Sequence, residues 1–170
     1  MACIQSLYDD CNWGKNYMSL TAILNLLIVA VLVGSSSAQE RPIKKAQLPR
    51  AVRAAVDAQS QGATVHGFSE EKEHGKTFYE AELRVGGHSK DVLMDAEGKI
   101  VEVEEEVAVD ALPAAVRDSL QAKAGAGKIV KVESLTKHDK LVAYEAQVLH
   151  KGKKSEIQVG PDGSALAHEE

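Results

Sequence analysis

Hydrophobic and polar positions along the 170-residue chain fall into three regimes. The first is a run from Leu20 to Val33, LTAILNLLIVAVLV, interrupted only by Thr21 and Asn25. It is shorter than the ~20 residues that a bilayer-crossing helix needs. It leads through Gly34 and three serines to Ser36 and Ala38, small residues at the two positions a signal peptidase reads. The pattern predicts a signal peptide over residues 1–38, cleaved at Ala38–Gln39, with an uncleaved anchor as the alternative. Residues 1–17 fit poorly as its start, because they hold Asp9, Asp10 and only Lys15 where a basic segment is expected. Translation from Met18 rather than Met1 would explain this, and Cys3, Cys11 and Trp13 would then never be made.

The second regime has helical spacing. Leu48, Val52 and Val56 form one apolar stripe, and Leu112, Val116 and Leu120 form another. Pro49 and Pro113 stand in the first turns, Asp110 is placed to cap the second helix or favour its dipole, and Gly62 and Gly125/Gly127 end the two helices. In the third regime the period falls to two. Val65 and Phe68, then Tyr79 to Val85, Val92 and Met94, and Ile100 to Val103 mark four strands. Ile129 and Val132, Tyr144 to Val148, Ile157 and Val159, and Ala165 to Ala167 mark four more. Connectors such as His74-Gly75, Gly86-Gly87 and Asp162-Gly163 have hairpin chemistry, so neighbours should be antiparallel.

The two series correspond. LPRAVRAAVDA at Leu48 returns as LPAAVRDSLQA at Leu112, YEAE at Tyr79 as YEAQ at Tyr144, and DAEGK at Asp95 as GPDGS at Gly160. The expected fold class is therefore α+β: two tandem repeats, each a helix followed by a four-stranded antiparallel meander, with both helices on one face of the sheet. The expected boundaries are a leader at 39–47, repeat 1 at 48–107, a linker at 108–111 and repeat 2 at 112–170. A unit of about 60 residues is marginal alone, so the two should join edge to edge.

A helix opening LPxAV, a YEAE strand and a D-x-x-G-K hairpin, in that order, resemble the PepSY-like family, also described as beta-lactamase-inhibitor-like. The resemblance implies helices packed on a four-stranded antiparallel sheet, bacterial export, and a role in protein binding or inhibition. It also implies that the partner surface is the sheet face turned away from the helices. Alternation assigns to that face Glu80, Glu82, Arg84, Asp91, Leu93, Glu102 and Glu104 from the first series. The second adds Glu145, Gln147, Leu149, Glu156 and Gln158. Binding hot spots favour Trp, Tyr and Arg. One Arg and no aromatic in this set argue against inhibition of a beta-lactamase.

Composition narrows the function classes. Beyond Ala38 the chain has 19 basic and 23 acidic residues, four aromatics and no cysteine. That balance disfavours nucleic-acid binding, which needs clustered Lys/Arg and stacking rings, and excludes disulfides and thiolate metal sites there. Gly125-Ala126-Gly127-Lys128 lacks the first glycine and the final Ser/Thr of a phosphate loop. There is no G-x-S-x-G turn or H-E-x-x-H pair, and His74 and His138 read as turn residues. Asp95 to Gly98 lacks the alternating ligands of a calcium loop. The expectation is a non-enzymatic module without cofactor, periplasmic or secreted, whose partner is a protein or peptide of the cell envelope and whose only membrane contact is through the signal segment. The alternative is an envelope protein that binds Ca²⁺ or another small ligand on the acidic face. The same acids would also suit a merely solvated sheet face.

The export reading has a direct check. Intact mass of the processed protein should correspond to a chain starting at Gln39, and that of the precursor to a start at Met18. A precursor beginning at Met1 would refute the second expectation and leave the first standing.

Overall fold

Four strand pairs close through two-residue turns whose central residues both have positive φ. These are His74-Gly75 (49° and 77°), Gly86-Gly87 (60° and 94°), His138-Asp139 (49° and 62°) and Lys151-Gly152 (50° and 78°). Turns of this hand match the right-handed twist of the strands that flank them. In a computed structural model, which describes residues 39–170, they organise an antiparallel sheet of eight strands in chain order. The elements are β1 (Gln39–Pro42), α1 (Arg50–Gln59), β2 (Thr64–Glu73), β3 (Lys76–Val85), β4 (His88–Asp95), β5 (Ile100–Glu106), α2 (Ala114–Ala124), β6 (Lys128–Lys137), β7 (Lys140–His150) and β8 (Lys153–Val159). Short 3-10 turns at Lys45–Gln47 and Val109–Ala111 precede the helices. The signal-peptide expectations, including Cys3, Cys11, Trp13 and Met18, lie outside the described residues.

The expected fold class is overturned. The described residues build one eight-stranded sheet with two helices, not two tandem units of one helix and four strands. Two segments cause the difference. Residues 39–42, expected as leader, form β1 and pair with β2 from Gln39↔Lys72 to Pro42↔Ser69. Ala165 to Ala167, expected as the last strand, lie outside the sheet, so α2 is followed by three strands. Where β5 has Ile-Val-Glu-Val, this tail has Ala-Leu-Ala-His, which lacks the β-branched side chains that favour a pleated surface. Asp110 is not a cap either: it belongs to the second 3-10 turn, and α2 begins behind Pro113 without a side-chain cap.

Both helices lie on one side of the sheet. Val52 and Val56 of α1, with Leu48, bury against Ala81, Leu83, Val92 and Met94. Val116 and Leu120 of α2, with Leu112, bury against Val132, Ala146 and Val159. Burying each such aliphatic side chain contributes about 1.5–3 kcal/mol. The two clusters share a sheet because β5 pairs with β6 from Glu102↔Lys137 to Glu106↔Glu133. Among the described residues no helix is long and apolar enough to cross a membrane.

Two glycines set how closely the helices approach the sheet. A Cβ on Gly98 would stand 2.7 Å from the Ala51 carbonyl carbon and oxygen, and one on Gly163 would stand 2.5 Å from the Ala115 oxygen. Both residues also have positive φ, 79° and 82°. Gly62 has a similar φ of 77° but open space around it. Gly62→Ala should therefore cost about 1 kcal/mol from backbone strain alone. Gly98→Ala and Gly163→Ala should cost more than ~2 kcal/mol, because helix backbone must also move. Urea unfolding of the three variants checks this; equal losses would show the close approach to be immaterial.

Candidate functional site

Among the described residues, alternation along the strands leaves the side opposite the helices without a covering layer of secondary structure. Register brings five of the expected residues together there. Glu80 of β3 stands opposite Leu93 of β4, which stands opposite Glu102 of β5. Glu82 stands opposite Asp91, and Asp91 opposite Glu104. Glu80, Asp91, Leu93, Glu102 and Glu104 line a cavity of about 250 Å³, together with Glu40 of β1 and Glu71 of β2. Six carboxylates thus surround one leucine.

Their chemistry follows from crowding on a partly dry surface. Burial pushes the Glu104 carboxyl up to about 8, and the neighbouring Glu133, Glu102, Glu145 and Asp91 charges add to it. Burial likewise pushes Glu80 up to about 7, against the Ser69 hydroxyl, which donates to Glu80 Oε2 at 3.0 Å. Asp91 is raised by burial, partly offset by the Lys131 ammonium, and Glu71 is raised by burial and by Glu73. One ligand oxygen from each of Asp91, Glu104 and Glu133 lies within 4.8 Å of the others. Glu133 is buried there, but Lys131 Nζ already stands 2.5 Å from it and the Ser89 Oγ lies 3.4 Å away.

The remaining expected residues lie elsewhere on the same face. Arg84 Nη1 donates to the Gly87 carbonyl at 3.2 Å and reaches Glu106 at 3.9 Å. Glu145 accepts from Gln158 Nε2 at 2.8 Å on β7 and β8, and burial raises its pKa. Gln147, Leu149 and Glu156 occupy the other end of those strands, outside the acidic cavity.

Several members were missed. Glu40 sits on a strand that had been read as leader, and Glu71 becomes its neighbour only through the β1–β2 register. Ser69, Ser89, Lys131, Glu133 and Lys137 follow from alternation once each strand is in register. Phe78 also projects here, opposite Glu71 and Asp95, so the face does carry an aromatic. His74 and His138 stand exposed in their turns. Asp95 Oδ1 accepts the N–H groups of Glu97 and Lys99 at 3.1 and 2.8 Å, which makes it a turn-former.

No protein-family model matches the chain, and no curated protein matches it. Solved structures share its fold. A Bacteroides eggerthii protein, provisionally described as periplasmic, aligns with a TM-score of 0.57 at 20% identity over 70% of this chain and 86% of its own. A DUF2874 family protein from Bacteroides ovatus aligns at 0.55 with 18% identity, over 70% and 84%. A BLIP-like protein from Bacteroides fragilis aligns at 0.53 with 21% identity, over 70% and 83%. These similarities show a BLIP-like fold.

The raised carboxyls set a pH dependence. Their folded-state pKa values exceed the unfolded value of 4.5, so the folded protein binds more protons across the interval between them. The stability they contribute is complete below about pH 4.5 and is lost as pH rises through about 7 for Glu80 and 8 for Glu104. Glu106 works oppositely: bonds from Ser89 hold it low, so its contribution is lost as pH falls. Thermal midpoints should therefore peak at mildly acidic pH and decline toward pH 9. Glu104→Gln should raise the midpoint by several degrees at pH 8 and leave it unchanged at pH 4. A midpoint that climbs steadily from pH 5 to 9 would contradict the assignment.

Proposed function

We propose that this chain is an exported, non-enzymatic binding module of the PepSY-like kind, and that its uncovered sheet face receives a cationic segment of an envelope protein or peptide. The observation that carries the reading is the cavity in which six carboxylates surround Leu93. Like charges gathered on a half-dry surface are costly unless a counter-charge arrives. Lysine or arginine side chains provide one while their stems cover Leu93 and Phe78. The BLIP-like fold and the signal-like segment of residues 20–38 support a module that acts outside the cytoplasm. Inhibition would be one consequence of such docking if the partner were an enzyme.

A divalent cation is the second reading, favoured by the approach of Asp91, Glu104 and Glu133. Lys131 already neutralises Glu133, so the extended face is preferred over this trio. The two readings separate in solution. Fluorescence anisotropy of a lysine-rich peptide should show binding that weakens as salt rises, and a glutamate-rich peptide should show none. The combined variant Glu80→Gln, Glu102→Gln and Glu104→Gln should lose about tenfold or more in affinity, roughly 1.4 kcal/mol. Equal binding of both peptides, or no loss in the variant, would overturn the proposal. A midpoint raised by millimolar Ca²⁺, with no peptide binding, would establish the cation reading instead.

A further inference from the structure

The uncovered face holds two apolar side chains that are nonetheless dry. Leu135 of β6 is 2% exposed and its cross-strand partner Ala143 of β7 is 0% exposed. Neither belongs to the helix-side clusters, and Leu135 stands opposite Glu104, which places the pair on the acidic side. The residues that follow β8 are anchored on both sides of the sheet. They begin on the helix side, where Gly163 lies against the Ala115 carbonyl and Ala165 borders Ser119, Ala122 and Lys123 of α2. They finish on the other side. The Glu170 N–H donates to Gln158 Oε1 at 2.8 Å, and its carboxylate lies 3.8 Å from Lys137 Nζ. Gln158 and Lys137 share the face of Glu145 and Glu102, their cross-strand partners. Between these anchor points Leu166 is half-buried.

We infer that residues 165–170 form a strap that closes the β6–β8 part of the sheet face over Leu135 and Ala143, and that a partner reaches those side chains only by displacing it. The second clause rests on the docking reading above; the first does not. The anchors are built to release. Lys137 and Glu170 are partly exposed, and Lys137 also serves Glu102 at 3.6 Å. Ion pairs of this exposure are weak and screened by salt. With Ala-Leu-Ala in place of β-branched residues, the segment has little tendency to lock in as a further strand.

Residues 39–170 contain no cysteine, so Ala143→Cys in a chain of those residues creates a single thiol at a site sized for it. Its rate of maleimide labelling reads the cover directly. Ending the chain at Ser164 should accelerate labelling at least about tenfold, because exchange through local opening would no longer be required. Lys137→Ala with Glu170→Ala should accelerate it in the intact chain, and this pair also serves if the shortened chain does not fold. Labelling that stays equally slow in a folded protein without the strap or its anchors would overturn the first clause. For the second, the shortened chain should bind the lysine-rich peptide more tightly than the intact one, although it has lost Glu169 and Glu170. Weaker binding, as expected from lost charge alone, would overturn it. Absence of peptide binding to either chain would defeat the docking reading and leave the labelling result to decide the strap.

Discussion

The pairing of β5 with β6 is the interaction on which the rest depends. It joins two sets of strands, each too small to bury an adequate core, into one sheet beneath two helices. It also places β5 in the interior of that sheet, with neighbours on both sides. On β5, Val103 faces the helices while Glu102 and Glu104 face the other way. A central strand cannot splay its outward side chains toward water as an edge strand does. The same ladder that completes the core therefore withdraws water from Glu104 and raises its pKa.

Crowded carboxylates oppose folding, and the structure tolerates them because the helix side carries the stabilising burial. The division of labour follows the period of two: one face of each strand supplies Val92, Met94, Val132 and Val159, and the other supplies Glu80, Asp91 and Glu104. Local mitigation is uneven. Ser89 donates through both its N–H and its hydroxyl to Glu106, and Lys131 pairs with Glu133, whereas Glu80 is eased by the Ser69 hydroxyl and the charges around Glu104 all raise it. The least compensated acid is Glu104 in mid-sheet, and that part of the face has most to gain from an incoming positive charge.

Much of this was legible in the amino-acid pattern. Leu48, Val52 and Val56 announced a helix, Tyr79 to Val85 a strand, and Glu80, Asp91, Leu93, Glu102 and Glu104 a shared face, because spacing and alternation depend only on local geometry. What misled was the internal correspondence. It extended a strand pattern onto Ala165 to Ala167, where the residue types do not support one. Residues 39–47 had been read as a leader, which hid the strand at Gln39–Pro42. Gln39 to Pro42 shows little alternation because an edge strand packs on one neighbour and can tolerate a proline. Glu40 went unseen with it, and so did its pairing with Glu71, since register between distant strands is not written in either segment alone.

Among the described residues, both sheet edges are poor templates for a further strand. β1 is four residues long and ends in Pro42, which has no N–H to offer. At the other edge, β8 opens with Lys153 and Lys154, and Lys123 of α2 donates to the Gln158 carbonyl at 2.7 Å. Short length, proline and lysine are the features that keep sheet edges from adding strands. An incoming strand would also have to displace the Lys123 bond before forming its own ladder. The proposed docking therefore falls to the face, where side chains rather than backbone would make the contacts. Backbone pairing would accept almost any extended sequence, whereas a surface of carboxylates around Leu93 and Phe78 would discriminate by charge and by the placement of apolar groups between charges. In the proposed binding role, selectivity would therefore be a property of the alternation in β3, β4 and β5.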